Sequence, residues 1–127
     1  MLLTREFWGD VAVIKVHGKL VGGMQNTQLC HDCFGETLRS GTTQIVIDLE
    51  DAPWANSQGI GMLIGAYTSA KNANAELVLA RVGVRIRDVL NVTKLSLIFR
   101  MHDTVEDAVV ALKAESRRET GHTISTA

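Results

Sequence analysis

Charge of one sign is scarce in this 127-residue chain. Thirteen Lys and Arg stand against fourteen Asp and Glu, a formal net charge of −1. No broad basic field exists to hold a nucleic-acid backbone or an anionic membrane surface, so neither is expected as a partner. Long apolar runs are missing too; none approaches the ~20 residues that a membrane-spanning helix needs, and no membrane insertion is expected. The start, Met1-Leu2-Leu3-Thr4-Arg5-Glu6, lacks a basic stretch followed by an apolar one, so no secretory signal is read and a cytoplasmic location is expected. With two cysteines, a four-ligand zinc site would need His17 or His102 to join Cys30, His31 and Cys33; no metal site is assigned. Convergent acid/base carboxylates, an assignable Ser/His/Asp set and an H-E-x-x-H motif are all absent. Apolar residues make up 46% and charged residues 21%, near globular averages, and the length suits one domain.

What is present is a regular alternation of strands and helices. Leu2–Phe7 and Val11–His17 read as strands joined by the turn residues Gly9-Asp10. Gly18 and Gly22-Gly23 break the pattern. A helix over Met24–Arg39 carries Cys30, Cys33, Phe34 and Leu38 on one stripe and stops at Ser40-Gly41. Gln44–Leu49 is apolar with little alternation, as a central strand covered on both faces would be. The only proline, Pro53, lies beside Trp54 in a loop over 50–56. A helix over Ser57–Asn72 places Ile60, Leu63, Ile64 and Tyr67 at the spacing that buries one face. Glu76–Ala80 is a strand. Gly83–Val92 is a helix with Val84, Val89 and Leu90 inward and Arg85, Arg87 and Asp88 solvated. Leu97–Met101 is a last strand. A closing helix over Asp103–Ala114 buries Val105, Ala108, Val109 and Leu112, with Asp103 as its cap and Glu106 three residues on. The order ββαβαβαβα implies an α/β fold: a mixed sheet of four to five strands with four helices. Residues 1–115 form the domain, and 116–127, polar and unpatterned, are expected to be a flexible tail.

The informative segment is Ile45–Gly65: a strand, a loop, and a helix opening at Asn56-Ser57-Gln58-Gly59. A helix start offers free amide groups and the positive end of the dipole, while Gly59 and Gly61 permit close backbone approach. The simplest role for Asn56 or Ser57 is the helix cap. In order and in this block the sequence resembles the STAS domain of bacterial anti-sigma-factor antagonists. The resemblance spans Leu3 to Leu112 and includes Ala108-Val109-Val110-Ala111-Leu112, similar to the family's closing helix. In that family the block reads Asp-Ser-Ser-Gly. Its second serine is phosphorylated by a partner that is both serine kinase and anti-sigma factor; the unphosphorylated antagonist binds that partner and frees the sigma factor, regulating transcription. Position by position, Asn56 stands for the aspartate, Ser57 for the first serine, Gln58 for the acceptor and Gly59 for the glycine. A carboxamide has no hydroxyl, so Gln58 cannot take a phosphate; Ser57 is the remaining hydroxyl. The acid of the family's Gly-x-Leu-Asp is also replaced, since this chain reads Gly18-Lys19-Leu20-Val21.

The resemblance implies a non-enzymatic, cofactor-free binding protein whose partner is a kinase-type anti-sigma factor. The partner surface would be Trp54, Asn56, Ser57, Gln58, Gly59 and Ile60. Two other functions are compatible: a STAS scaffold or accessory subunit of a signalling assembly or transporter, and binding of a small anionic ligand or nucleotide at the helix start after Asn56. Three further patterns have plainer readings. Cys30-His31-Asp32-Cys33 resembles a redox pair but falls inside a helix, where core packing explains it better. Gly59-x-Gly61-x-x-x-Gly65 lies too far from its strand for a dinucleotide fold and is ascribed to close helix–sheet packing. Asp48, Glu50 and Asp51 read as a solvated rim or part of the partner surface, and His31 and His102 as surface or cap residues. Trp54 either fills the top of the core or anchors an interface.

Overall fold

A computed structural model gives the backbone through Thr126 and side chains for residues 1–115. The tail expected over 116–127 therefore lies outside the residues described with side chains. Five strands, β1 (Leu2–Trp8), β2 (Val11–His17), β3 (Gln44–Asp51), β4 (Glu76–Ala80) and β5 (Met101–His102), lie side by side in chain order. The first pair is antiparallel and the other three pairs are parallel. Four helices connect and flank them: α1 (Met24–Arg39), α2 (Ser57–Asn72), α3 (Val84–Val92) and α4 (Val105–Thr126). The β1–β2 turn is tight because Gly9 takes φ +65, a value that costs glycine nothing.

The two faces of the sheet are read off the strand alternation. Ala12, Ile14 and Val16 of β2, Ile45, Ile47 and Leu49 of β3, and Leu77 and Leu79 of β4 join the core that includes Cys30 and Phe34 of α1, Ile60 and Leu63 of α2, and Ile86 and Leu90 of α3. Val11, Val13, Val46, Val78 and Ala80 turn the other way and meet Val105, Ala108, Val109 and Leu112 of α4. Strands covered on both sides have no solvent face, so their sequences need no polar alternation. Arg5 ties the edge strand to α1: its Nη1 donates to Thr37 Oγ1 at 2.8 Å and its Nη2 lies 3.5 Å from Glu36.

Several local expectations are corrected. Leu97–Met101 is not a strand. Lys94 adopts a left-handed backbone with φ 67, Leu95–Leu97 forms a 3₁₀ turn, and only Met101 and His102 pair with β4. Leu97 is 83% exposed and Phe99 alone supplies the buried anchor of that stretch, edge-on to Tyr67 with ring centroids 5.3 Å apart. On α2 the buried positions are Ile60, Leu63, Ala66 and Ala70, while Ile64 faces outward. On α3, Ile86 and Leu90 are inward, and Val84 and Val89 are exposed. The cap of α4 is Thr104, whose Oγ1 accepts from the Asp107 amide at 3.0 Å; Asp103 lies one residue too early. Gly61 and Gly65 do not mediate close packing, for a Cβ at either would meet nothing within 4 Å.

Candidate functional site

The site forms where the β3–α2 loop meets the β2–α1 loop. Leu20 bridges Ala55 in a single parallel contact. The Leu20 amide donates to the Trp54 carbonyl at 3.0 Å, and the Asn56 amide donates to the Leu20 carbonyl at 3.2 Å. The two loops are thus stitched together by backbone bonds, and Leu20 itself is buried.

Asn56 is the cap of α2. Its backbone is extended and its Oδ1 accepts from the Gly59 amide at 2.8 Å, which satisfies one of the helix's orphan donors. Gly59 is fixed by sterics: a Cβ there would lie 1.8 Å from the Leu20 carbonyl oxygen. Ile60 follows into the core. Ser57 and Gln58, by contrast, are exposed. Trp54 is half-buried, with the Lys19 ammonium 5.6 Å from its ring centroid. The six residues expected to form a partner surface therefore divide: Ser57 and Gln58 face solvent, Trp54 and Asn56 straddle the boundary, and Gly59 and Ile60 support from below.

The partner surface expected from the sequence left out the second loop, although the family's Gly-x-Leu-Asp aligns there with Gly18-Lys19-Leu20-Val21. Lys19 and Gly22 lie beside the start of α2 with Leu20 buried beneath them, and Asn26 of α1 braces the loop by donating from Nδ2 to the Val21 carbonyl at 3.1 Å. The signal available was the pair of breaks at Gly18 and Gly22-Gly23. A groove of about 620 Å³ between α1 and α2 opens beside Gln58, with Met24, Phe34, Met62 and Gly65 in its lining.

Other candidate groups resolve structurally. Cys30 and Cys33 are free thiols. Burial, aided by the neighbouring Cys33, pushes the Cys30 thiol up to about 11, and burial also raises Cys33. Both are thus disfavoured as thiolate nucleophiles at neutral pH. Asp48 is no part of a solvated rim. It is 2% exposed, grips Arg81 through Nε at 3.1 Å and Nη2 at 2.5 Å, and accepts from the Glu50 amide. Hydrogen bonding to Asp48 raises the Arg81 pKa further, and Arg81 also pairs with Glu50. Asp51 pairs with Lys15 at 3.3 Å and His17 at 3.2 Å. Among the described residues no group of three or more His, Cys, Asp and Glu converges as a metal site, and no helix is long and apolar enough to cross a membrane.

The profile described as STAS domain matches residues 5–108. The chain belongs to the STAS domain family. A TM1081 homologue from Thermotoga neapolitana, named as a candidate anti-sigma factor antagonist, is 26% identical over 76 residues, 60% of this chain and 67% of that protein. The crystal structure of TM1081 from Thermotoga maritima, of the same description, superposes with a TM-score of 0.79 at 20% identity, covering 87% of this chain and 94% of the other. An anti-sigma factor antagonist from Mycobacterium paratuberculosis gives 0.75 at 21% identity over 88% and 93%. The STAS fold expected from the sequence, a single α/β domain with a mixed sheet of four to five strands and four helices, is the fold observed, with five strands in the sheet. Within that STAS framework, the helix start at Asn56-Ser57-Gln58-Gly59 exposes Ser57 and Gln58.

Proposed function

We propose that this STAS domain is an antagonist of the anti-sigma-factor class that binds a serine-kinase-type anti-sigma factor and so releases a sigma factor, without catalysis of its own. The observation that supports the reading is the exposed Ser57-Gln58 step at the start of α2: the residues around it cap the helix, are buried or are bonded, while these two face solvent. A complex of ordinary size would bury ~1,200–2,000 Å² in total, and Trp54 is the aromatic anchor within reach.

The position that takes phosphate in the resembling antagonists is here a neutral carboxamide. A phosphoserine would bring about −1.5 to −2 charge to such a position; Gln58 holds it permanently uncharged. The protein is therefore binding-competent at all times as far as residue 58 is concerned. The decisive experiment mixes the full chain with the kinase-type anti-sigma factor of the same genome, with and without ATP. Isothermal titration reports binding, and intact mass with peptide mapping reports modification. The expected result is a complex of equal affinity before and after ATP, with no added phosphate at residue 58. Absence of any complex refutes the partner. ATP-dependent release accompanied by phosphate on Ser57 refutes the constitutive state. The anionic-ligand alternative has less support, because the Asn56 carboxamide already takes the Gly59 amide that an anion at this helix start would use. A scaffold or transporter role predicts that the pulldown returns those proteins instead.

A further inference from the structure

Among the described residues β1 is a free sheet edge along its whole length. It pairs with β2 on one side only, and its register runs unbroken from Leu2↔His17 to Trp8↔Val11. The two-residue turn at Gly9-Asp10 makes Trp8 and Val11 a hydrogen-bonded pair, and such pairs recur at every second residue. The backbone groups of Leu2, Thr4, Glu6 and Trp8 are therefore taken up by β2, while those of Leu3, Arg5 and Phe7 point outward. Long edges are normally guarded by lysine, proline, a bulge or a cover. β1 has no lysine, no proline and no bulge. Its two charges are engaged within the chain: Arg5 with Thr37 and Glu36 of α1, and Glu6 with the Trp8 indole at 2.9 Å. It also exposes two large apolar side chains, Leu2 at 59% and Phe7 at 52%.

We propose that β1 is a self-association edge: a second copy of this chain lays its own β1 antiparallel alongside, about a two-fold axis through Arg5, and the two sheets become one. In that register Leu3 stands opposite Phe7 of the second copy and Arg5 opposite Arg5, so every outward amide meets an outward carbonyl. The apolar residues meet on both faces of the joined sheet. On the α1 face the exposed Phe7 meets Leu3, which packs on the larger core. On the α4 face the exposed Leu2 meets Trp8, which packs on the cluster beneath α4. Thr4 and Glu6 meet as hydroxyl and carboxylate. The like charges at the axis are offset because each Arg5 lies against its own Glu36. A closed dimer forms in preference to a filament, since the opposite edge, β5, is two residues long and offers no matching template. Ser57 and Gln58 follow β3, which lies inside the sheet, so both copies keep them exposed. The pairing does not depend on the proposed function.

The test follows the full chain by sedimentation equilibrium from micromolar to millimolar concentration, with amide hydrogen exchange read at the same concentrations. A monomer–dimer equilibrium is expected. The Leu3, Arg5 and Phe7 amides should slow about tenfold once roughly a tenth of the chain remains monomeric. The Thr4 and Glu6 amides, bonded to β2 in both states, should change far less. Phe7→Lys replaces an exposed side chain and should raise the dimer Kd about tenfold, because the symmetric interface loses the contact twice. Val92→Lys on α3, where Val92 is 82% exposed, is the control and should leave Kd within about twofold. A chain that stays monomeric at millimolar concentration overturns the proposal. So does a dimer whose three edge amides exchange as in the monomer, or one that Phe7→Lys leaves unmoved, for either puts the contact elsewhere. Edge amides that become protected only on adding the kinase-type anti-sigma factor assign β1 to a foreign strand and overturn it as well.

Discussion

The most demanding packing claim concerns Gly59, and one methyl group tests it. Alanine at this position directs its Cβ to 1.8 Å from the Leu20 carbonyl oxygen and 2.6 Å from its carbonyl carbon. Neither is the end of a flexible side chain, so the backbone of one loop must move. Alanine brings a helix-propensity gain of up to ~1 kcal/mol over glycine. Against it stand about 1–3 kcal/mol for overpacking and about 1 kcal/mol for each of the Leu20 and Asn56 amide bonds that the displacement breaks. The net loss is about 2–4 kcal/mol, a large share of the ~5–15 kcal/mol that holds an ordinary domain together. At this chain length that lowers Tm by about 6–15 °C. Gly61→Ala is the internal control: it sits two residues on, its Cβ meets nothing within 4 Å, and alanine there should stabilise by about 0.5–1 kcal/mol. Urea unfolding followed by circular dichroism measures both. If Gly59→Ala unfolds at the same urea concentration as Gly61→Ala, the reasoning from close approach is wrong.

Removing Arg81 should be costly for a different reason. Asp48 is buried and Arg81 is its bidentate partner, so Arg81→Ala strands a carboxylate and should destabilise by about 3 kcal/mol in chemical denaturation; a loss below about 1 kcal/mol would show that Asp48 reaches water. Thr104→Ala should cost about 1 kcal/mol by loss of the α4 cap, whereas Asp103→Ala should be close to neutral; the reverse order in thermal melts would restore Asp103 as the cap. The Cys30 thiol has its folded pKa raised from 9.0 to about 11, so its contribution to stability is complete below pH 9 and is lost as pH rises through about 11. Thiol titration of the native protein at pH 8 should accordingly be slow and accelerate on adding denaturant; fast reaction of both thiols in the native state would overturn the assignment to the core.

The long elements were legible because one physical signal governed each. The spans read for β2, β4, α1 and α2 coincide with those observed, since β-branched runs, glycine breaks and the 3.6-residue period agreed there. Legibility failed where tertiary context decided. Leu97–Met101 has strand-forming residues, yet Lys94 takes a left-handed turn and sends Leu97 outward. Ile64 sits at the nominal spacing of a buried stripe, but Ala66 and Ala70 fit closer to the sheet and rotate it to the surface. Asp48 looked like one of three rim acids because nothing local announces that Arg81, 33 residues away, will bury it. The helix-start half of the candidate site was readable from Asn56-Ser57-Gln58-Gly59. The other half was left out of the expected surface, since the contact between Gly22 and Gln58 exists only once two loops are brought together.

Strand order identical to chain order has a consequence for how this molecule comes into being. A nascent chain leaving the ribosome presents β1 and β2 first, and every later strand finds its neighbour already waiting, so no segment must be held open for a latecomer to be threaded between. The last strand is two residues long and secures little by itself. The apolar face formed by Val11, Val46 and Val78 stays bare until Val105–Leu112 has emerged and α4 can lie down on it. Ribosome-stalled chains released before that point would be expected to cling to chaperones, and those released after it to let go.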